Sequence, residues 1–122
     1  MKERLIEVEE KRRFPRVESS VPIQYKNLKT PTGQTINLTT KDLGEGGVRF
    51  VSDQFISLAC RLIVEIKLPT ISKPIKAISK VAWIRKVPIG NQYDVGNQFL
   101  EMSREDKENV ANFVNKLITS AT

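Results

Sequence analysis

The chain has 122 residues with 20 lysines and arginines against 14 acids, a formal charge of +6, and 39% hydrophobic residues. That size fits one domain around one core, and no apolar run approaches the roughly 20 residues that span a bilayer. There is no histidine and a single cysteine, Cys60, which excludes an internal disulfide, histidine metal sites and histidine-dependent triads. No pair of acids marks a carboxylate mechanism either, so composition points to binding, not catalysis. The start, Met1 to Leu5, lacks the apolar stretch of a secretory signal, and the expectation is a cytoplasmic protein without stable membrane insertion.

Residues 3–11 have the spacing of a short helix, with Glu7 and Lys11 as an i,i+4 pair. The expected division is therefore an arm or short helix over 1–10 and one domain over 11–122. Pro15 breaks any helix and biases Phe14 to extended backbone, which puts Arg12 to Arg16 on a loop. From there the period is two. Val21, Ile23 and Tyr25 alternate with polar residues, Lys29 to Gly33 is turn chemistry, and Thr35 to Thr40 is a second strand. Asp42 to Gly47 reads as a turn, and Val48 with Phe50 marks the next strand. Leu62, Val64, Ile66 and Leu68 alternate cleanly up to Pro69.

A longer strand runs from Ile75 to Val87 with Val81 and Trp83 assigned to one face. A turn at Pro88 to Asn91 leads into a last strand over Gln92 to Leu100. Ser103-Arg104-Glu105-Asp106 resembles a capping box. Val110, Phe113, Val114, Leu117 and Ile118 then form one helical stripe that should pack on the strands. Short strands separated by turns, with no helices between them, predict a small antiparallel β-barrel closed by a C-terminal helix. In this frame Cys60 reads as a core or near-surface thiol.

Two segments carry functional chemistry. Arg12 and Arg16 form an RxxxR pattern beside Lys11 and Arg13, in a cluster without an acid. Guanidinium groups grip phosphate or a guanine edge in bidentate fashion and stack on bases. The second segment, Asp42-Leu43-Gly44-Glu45-Gly46-Gly47, has three glycines in four positions, so its backbone turns sharply or lets something approach closely. Asp42 can accept paired hydrogen bonds from guanine N1–H and N2–H. From residue 60 to 90 there are also seven cations and one acid, Glu65, which suits an anionic partner.

Together the two segments resemble the PilZ domain family, whose fingerprint is RxxxR in an N-terminal loop followed by (D/N)xSxxG leading into a strand. Arg12 and Arg16 fill the first motif, while Asp42 and Gly47 fill two of three positions of the second. Leu68-Pro69, Val81-Ala82-Trp83-Ile84 and Val95-Gly96-Asn97-Gln98-Phe99 extend the likeness over residues 11 to 118. The resemblance implies a six-stranded antiparallel barrel with a C-terminal helix, no enzymatic activity and no cofactor. It also implies a bacterial cytoplasmic receptor for the second messenger cyclic di-GMP, acting through a protein partner.

Carried over by motif, Arg12 and Arg16 hold guanine and phosphate, Asp42 recognises a guanine, and Gly47 permits the turn. Lys11 and Arg13 add phosphate contacts. Gly44 stands where the family has serine. A missing neutral hydrogen bond is worth about 0.5–1.5 kcal/mol, which weakens binding roughly tenfold at most. Two other readings stand beside this one. The first is a PilZ-like adaptor that has lost the nucleotide and works through protein contacts. The second is a small-barrel nucleic-acid binder using the basic region 61–86, disfavoured because aromatic residues are few and several belong to apolar faces instead of forming stacking platforms.

Overall fold

In the computed structural model, which describes residues 16–30 and 32–120, β1 (Arg16–Glu18) leads into β2 (Pro22–Asn27) and β3 (Ile36–Gly44). Then come β4 (Gly47–Ser52), β5 (Arg61–Ile66), β6 (Ile75–Lys86), β7 (Tyr93–Met102) and the helix α1 (Arg104–Ser120). The expected helix over 3–11 and the cluster Lys11, Arg12 and Arg13 lie outside the described residues. Every strand pairing is antiparallel, in the order β1-β3-β2-β5-β6-β7-β4, and β4 pairs back onto β3. Strands β2 to β7 thus close a six-stranded barrel, which leaves few open strand edges.

The period-two pattern becomes the barrel interior. Ile23, Leu43, Val48, Phe50, Leu62, Val64, Ile66, Val81 and Val95 are at most 2% exposed, each contributing about 1.5–3 kcal/mol by burial. Tyr25 stacks on Phe50 with ring centroids 5.2 Å apart, and its hydroxyl lies 3.3 Å from Ser52 Oγ. Burial raises the Tyr25 phenol above its ordinary value. Cys60 is a free, half-buried thiol whose Sγ accepts from Asn27 Nδ2 at 3.4 Å.

Helix α1 packs on the barrel through Val110, Phe113, Val114 and Leu117, while Ile118, the last residue of the predicted stripe, is 39% exposed and stays outside the packed cluster. Half of the capping box forms: Ser103 Oγ accepts from the Asp106 amide at 3.1 Å. The Asp106 carboxylate turns away from its own helix and accepts the Lys76 amide, also at 3.1 Å. The helix start is therefore tied to the start of β6.

Two departures from the predicted elements position the site. Arg16 is not on a loop; it opens β1, which pairs with β3 in the register Arg16↔Gly44 and Glu18↔Asp42. Thr40 Oγ1 fixes the passage from β1 to β2, donating to the Ser19 carbonyl and accepting the Val21 amide at 3.0 Å. Strand β3 also continues through Asp42 and Leu43 to Gly44, so the turn shrinks to Glu45 and Gly46. Cross-strand bonding to β1 and β4 overrides the weak strand propensity of aspartate and glycine here.

The third departure concerns Trp83. Strand β6 shifts register against β7 between Val81 and Trp83. The extra residue reverses the alternation, so Val81 is interior, Ile84 packs on the core, and Trp83 stays half-buried outside that cluster. Trp83 and Val81 therefore do not share a face.

Candidate functional site

The site is assembled by strands far apart in sequence. Arg16 on β1 reaches diagonally to Asp42 on β3, with Nη1 3.7 Å from Oδ1, and its Nη2 donates to the Asn97 carbonyl on β7 at 3.4 Å. Gly44 is buried directly opposite Arg16. A methyl group at Gly47 would fall on the Asn97 carbonyl oxygen and lie 2.8 Å from Arg16 Nη2. Glycine at position 47 is required by this close approach. Its φ is not the reason, since Gly90 is the one described glycine with positive φ.

Asp42 is held from its other side. Arg49, seven residues on and paired with it across the β3–β4 hairpin, donates from Nε to Oδ2 at 2.7 Å. The same guanidinium spans to β7, where Nη1 lies 3.0 and 3.1 Å from the two oxygens of Asp94. Arg85 on β6 completes the row, Nη2 donating to Asp94 Oδ2 at 2.8 Å. Arg16, Asp42, Arg49, Asp94 and Arg85 thus form an ionic ladder over five strands, with three cations and two anions. The carboxylates hold the Arg49 guanidinium above its ordinary pKa, chiefly through the Asp42 hydrogen bond, so it stays charged at any working pH.

One atom of this ladder is unsatisfied. Asp42 Oδ1 is buried and has no hydrogen bond among the described residues, although Arg16 stands 3.7 Å away. A buried carboxylate oxygen without a donor is costly.

Beside Arg16 lies a cavity of about 510 Å³ lined by Trp83, Gln98, Phe99, Met102 and Lys107, with Glu45 and Glu101 also on its wall. Trp83 stands over Gly96, where any side chain would collide with the indole, and Arg85 lies 5.8 Å from the ring centroid. The cavity so offers a cation and an aromatic plane together.

The structure brings Arg16, Asp42, Gly44 and Gly47 close to one another. Arg12, Arg13 and Lys11 lie outside the described residues. Sequence reading missed Arg49 and Asp94, which only the hairpin registers bring to Asp42, and it misassigned Trp83 because of the bulge. The basic region 61–86 does not form one free patch: Lys76 pairs with Glu65 at 3.9 Å and Arg85 with Asp94.

Residues 10–116 match the family model described as the PilZ domain. The chain belongs to the PilZ domain family. No curated protein matches it, but solved structures share the fold at low identity. Bacillus subtilis inhibitor of motility (MotI/DgrA) superposes with a TM-score of 0.78 at 16% identity, over 91% of this chain and 52% of that one. The PilZ domain of Escherichia coli YcgR with c-di-GMP gives 0.68 at 17% identity, over 90% and 93%. The Klebsiella pneumoniae MrkH–c-di-GMP complex gives 0.69 at 16% identity, over 90% and 52%. The chain thus spans about half the length of MotI and MrkH. Among the described residues, no helix is long and apolar enough to cross a membrane.

Proposed function

We propose that this chain is a cyclic di-GMP receptor that carries no catalytic activity of its own and passes the signal to a protein partner. The observation that carries this reading is Asp42 Oδ1, a buried carboxylate oxygen without a hydrogen bond among the described residues, facing Arg16 across 3.7 Å. In the bound state a guanine N–H donates to Oδ1, while Arg16 exchanges Asp42 and the Asn97 carbonyl for a ligand phosphate. Arg49 holds Asp42 in place throughout, and Trp83 supplies the stacking plane. Lys11, Arg12 and Arg13 close over the dianion from the N-terminal side, so that ligand binding orders the arm. Two relatives are described with c-di-GMP bound and one as an inhibitor of motility, which supports the reading of a ligand-controlled adaptor.

The test is isothermal titration with cyclic di-GMP, and with GTP as the control, on the parent chain, Arg16→Ala and Gly44→Ser. Saturable heat from cyclic di-GMP that disappears in Arg16→Ala is expected, with up to roughly tenfold tighter binding in Gly44→Ser. Amide exchange over residues 8–17 should slow on binding; unchanged exchange in the complex would sink the ordering of the arm. A second reading rests on Gly44, which leaves the motif without its hydroxyl. Flat heat from the parent, restored by Gly44→Ser, would mark an adaptor that has kept the fold and lost the nucleotide.

A further inference from the structure

The end of the barrel opposite Arg16 and the β3–β4 turn is built from residues 28–30, 32–35, 53–60 and 87–92, and these hold the most exposed large apolar side chains among the described residues. Phe55 is 63% exposed, Leu58 62% and Ile89 85%. Between residues 28–30 and 53–60 runs a groove of about 680 Å³ whose walls are Leu28, Leu58, Ala59 and Cys60. Its rim carries Lys29 and Arg61, and none of its lining residues is acidic. Of the three, Leu58 lines this groove, a large exposed apolar side chain beside a concave wall.

The groove is preformed. Its far wall is a turn in which Ala59 takes a left-handed φ of 66°, pinned by its amide to the Val81 carbonyl at 2.9 Å and by the Cys60 amide to Ser57 at 3.1 Å. An alanine held in that region costs about 1 kcal/mol or more, so the surroundings impose the conformation that presents Leu58. The near wall is tied just as firmly: the Leu28 amide donates to the Arg61 carbonyl at 3.0 Å and the Lys29 amide to Asn27 Oδ1 at 2.8 Å.

We infer that this groove docks an acidic segment of a protein partner, which seats an apolar side chain between Leu28 and Leu58 and sets its carboxylates against Lys29 and Arg61. Concavity favours a protein segment over a bilayer, which needs convex apolar tips. Charge disfavours a second copy of this chain, because a two-fold contact sets like cations against each other and the whole chain carries +6. The inference does not rest on the nucleotide reading, since no residue of the groove belongs to the ladder or the Trp83 cavity.

The test is selection of a phage library of random twelve-residue peptides on the immobilised full chain, followed by fluorescence anisotropy with the most enriched sequence. Leu58→Glu and the double variant Lys29→Glu/Arg61→Glu change exposed side chains, and unaltered circular dichroism and urea midpoints verify their folding. The expected result is a pool rich in Asp and Glu around one large apolar residue. Affinity should fall at least tenfold in either variant and with added salt, and stay unchanged in Arg16→Ala. A pool without acidic bias, no enrichment, or affinity indifferent to both variants overturns the proposal. So does binding to phosphatidylglycerol vesicles without peptide binding, or a dimer in sedimentation equilibrium that Leu58→Glu dissolves.

Discussion

Arg49→Met isolates the role of the guanidinium at the centre of the ladder. The substitution keeps an unbranched stem as far as the Nε position and removes the bond to Asp42 at 2.7 Å and both contacts to Asp94 at 3.0 and 3.1 Å. Hydrogen bonds to charged groups contribute about 1.5–3 kcal/mol each when buried. Arg49 keeps 30% of its side chain exposed, so solvent screens part of that value. Asp94 retains Arg85, whereas Asp42, 14% exposed, retains only the 3.7 Å approach of Arg16 among the ion pairs described. The balance is a loss of about 1–3 kcal/mol, most of it from stranding Asp42. With a urea slope of about 1–3 kcal/mol/M, chemical denaturation should show a midpoint lower by roughly 1 M with the slope unchanged. Arg49→Lys should recover less than half, because an ammonium cannot span both carboxylates. A Met variant whose midpoint matches the parent would refute the claim that Arg49 holds Asp42, and with it the explanation of why that acid is fixed before any ligand arrives.

Three further outcomes follow from the same geometry. Gly47→Ala forces β4 away from the Asn97 carbonyl, and because the obstacle is backbone the loss should reach the upper part of the roughly 1–3 kcal/mol typical of overpacking; thermal unfolding measures it. Gly96→Ala drives a methyl into the Trp83 indole, and since the chain has one tryptophan, a red shift of its emission reports the displaced ring. Unmoved emission counts against the packing described for that face. Tyr25 carries a phenol pKa raised chiefly by burial, so its contribution is intact below about pH 10 and is lost as pH rises through the folded value, where the unfolded state has already released the proton. Urea midpoints between about pH 8 and 11 should therefore fall more steeply for the parent than for Tyr25→Phe.

What the sequence disclosed of this fold was governed by local period. Ile23, Val48, Leu62 and Val95 alternate with polar neighbours because each strand has one face against the core, and that signal survives without knowledge of partners. Trp83 broke the rule for a reason no local pattern carries. The register shift after Val81 comes from the fit of β6 on β7, and it moves the ring from the predicted interior to the cavity beside Arg16. The site followed the same division. Asp42, Gly44 and Gly47 were legible as a motif, and Arg16 as half of another, because glycine and charge are unusual at such density. Arg49 and Asp94 looked like ordinary outward-facing strand residues, yet the hairpin registers make them the support of Asp42. The ladder also explains why a strand can continue through Asp42, where a turn was predicted. With Arg49 on one oxygen and Arg16 near the other, the aspartate gains from cross-strand partners what it lacks in strand propensity. The residue expected to bind a guanine is thus a residue that extends β3.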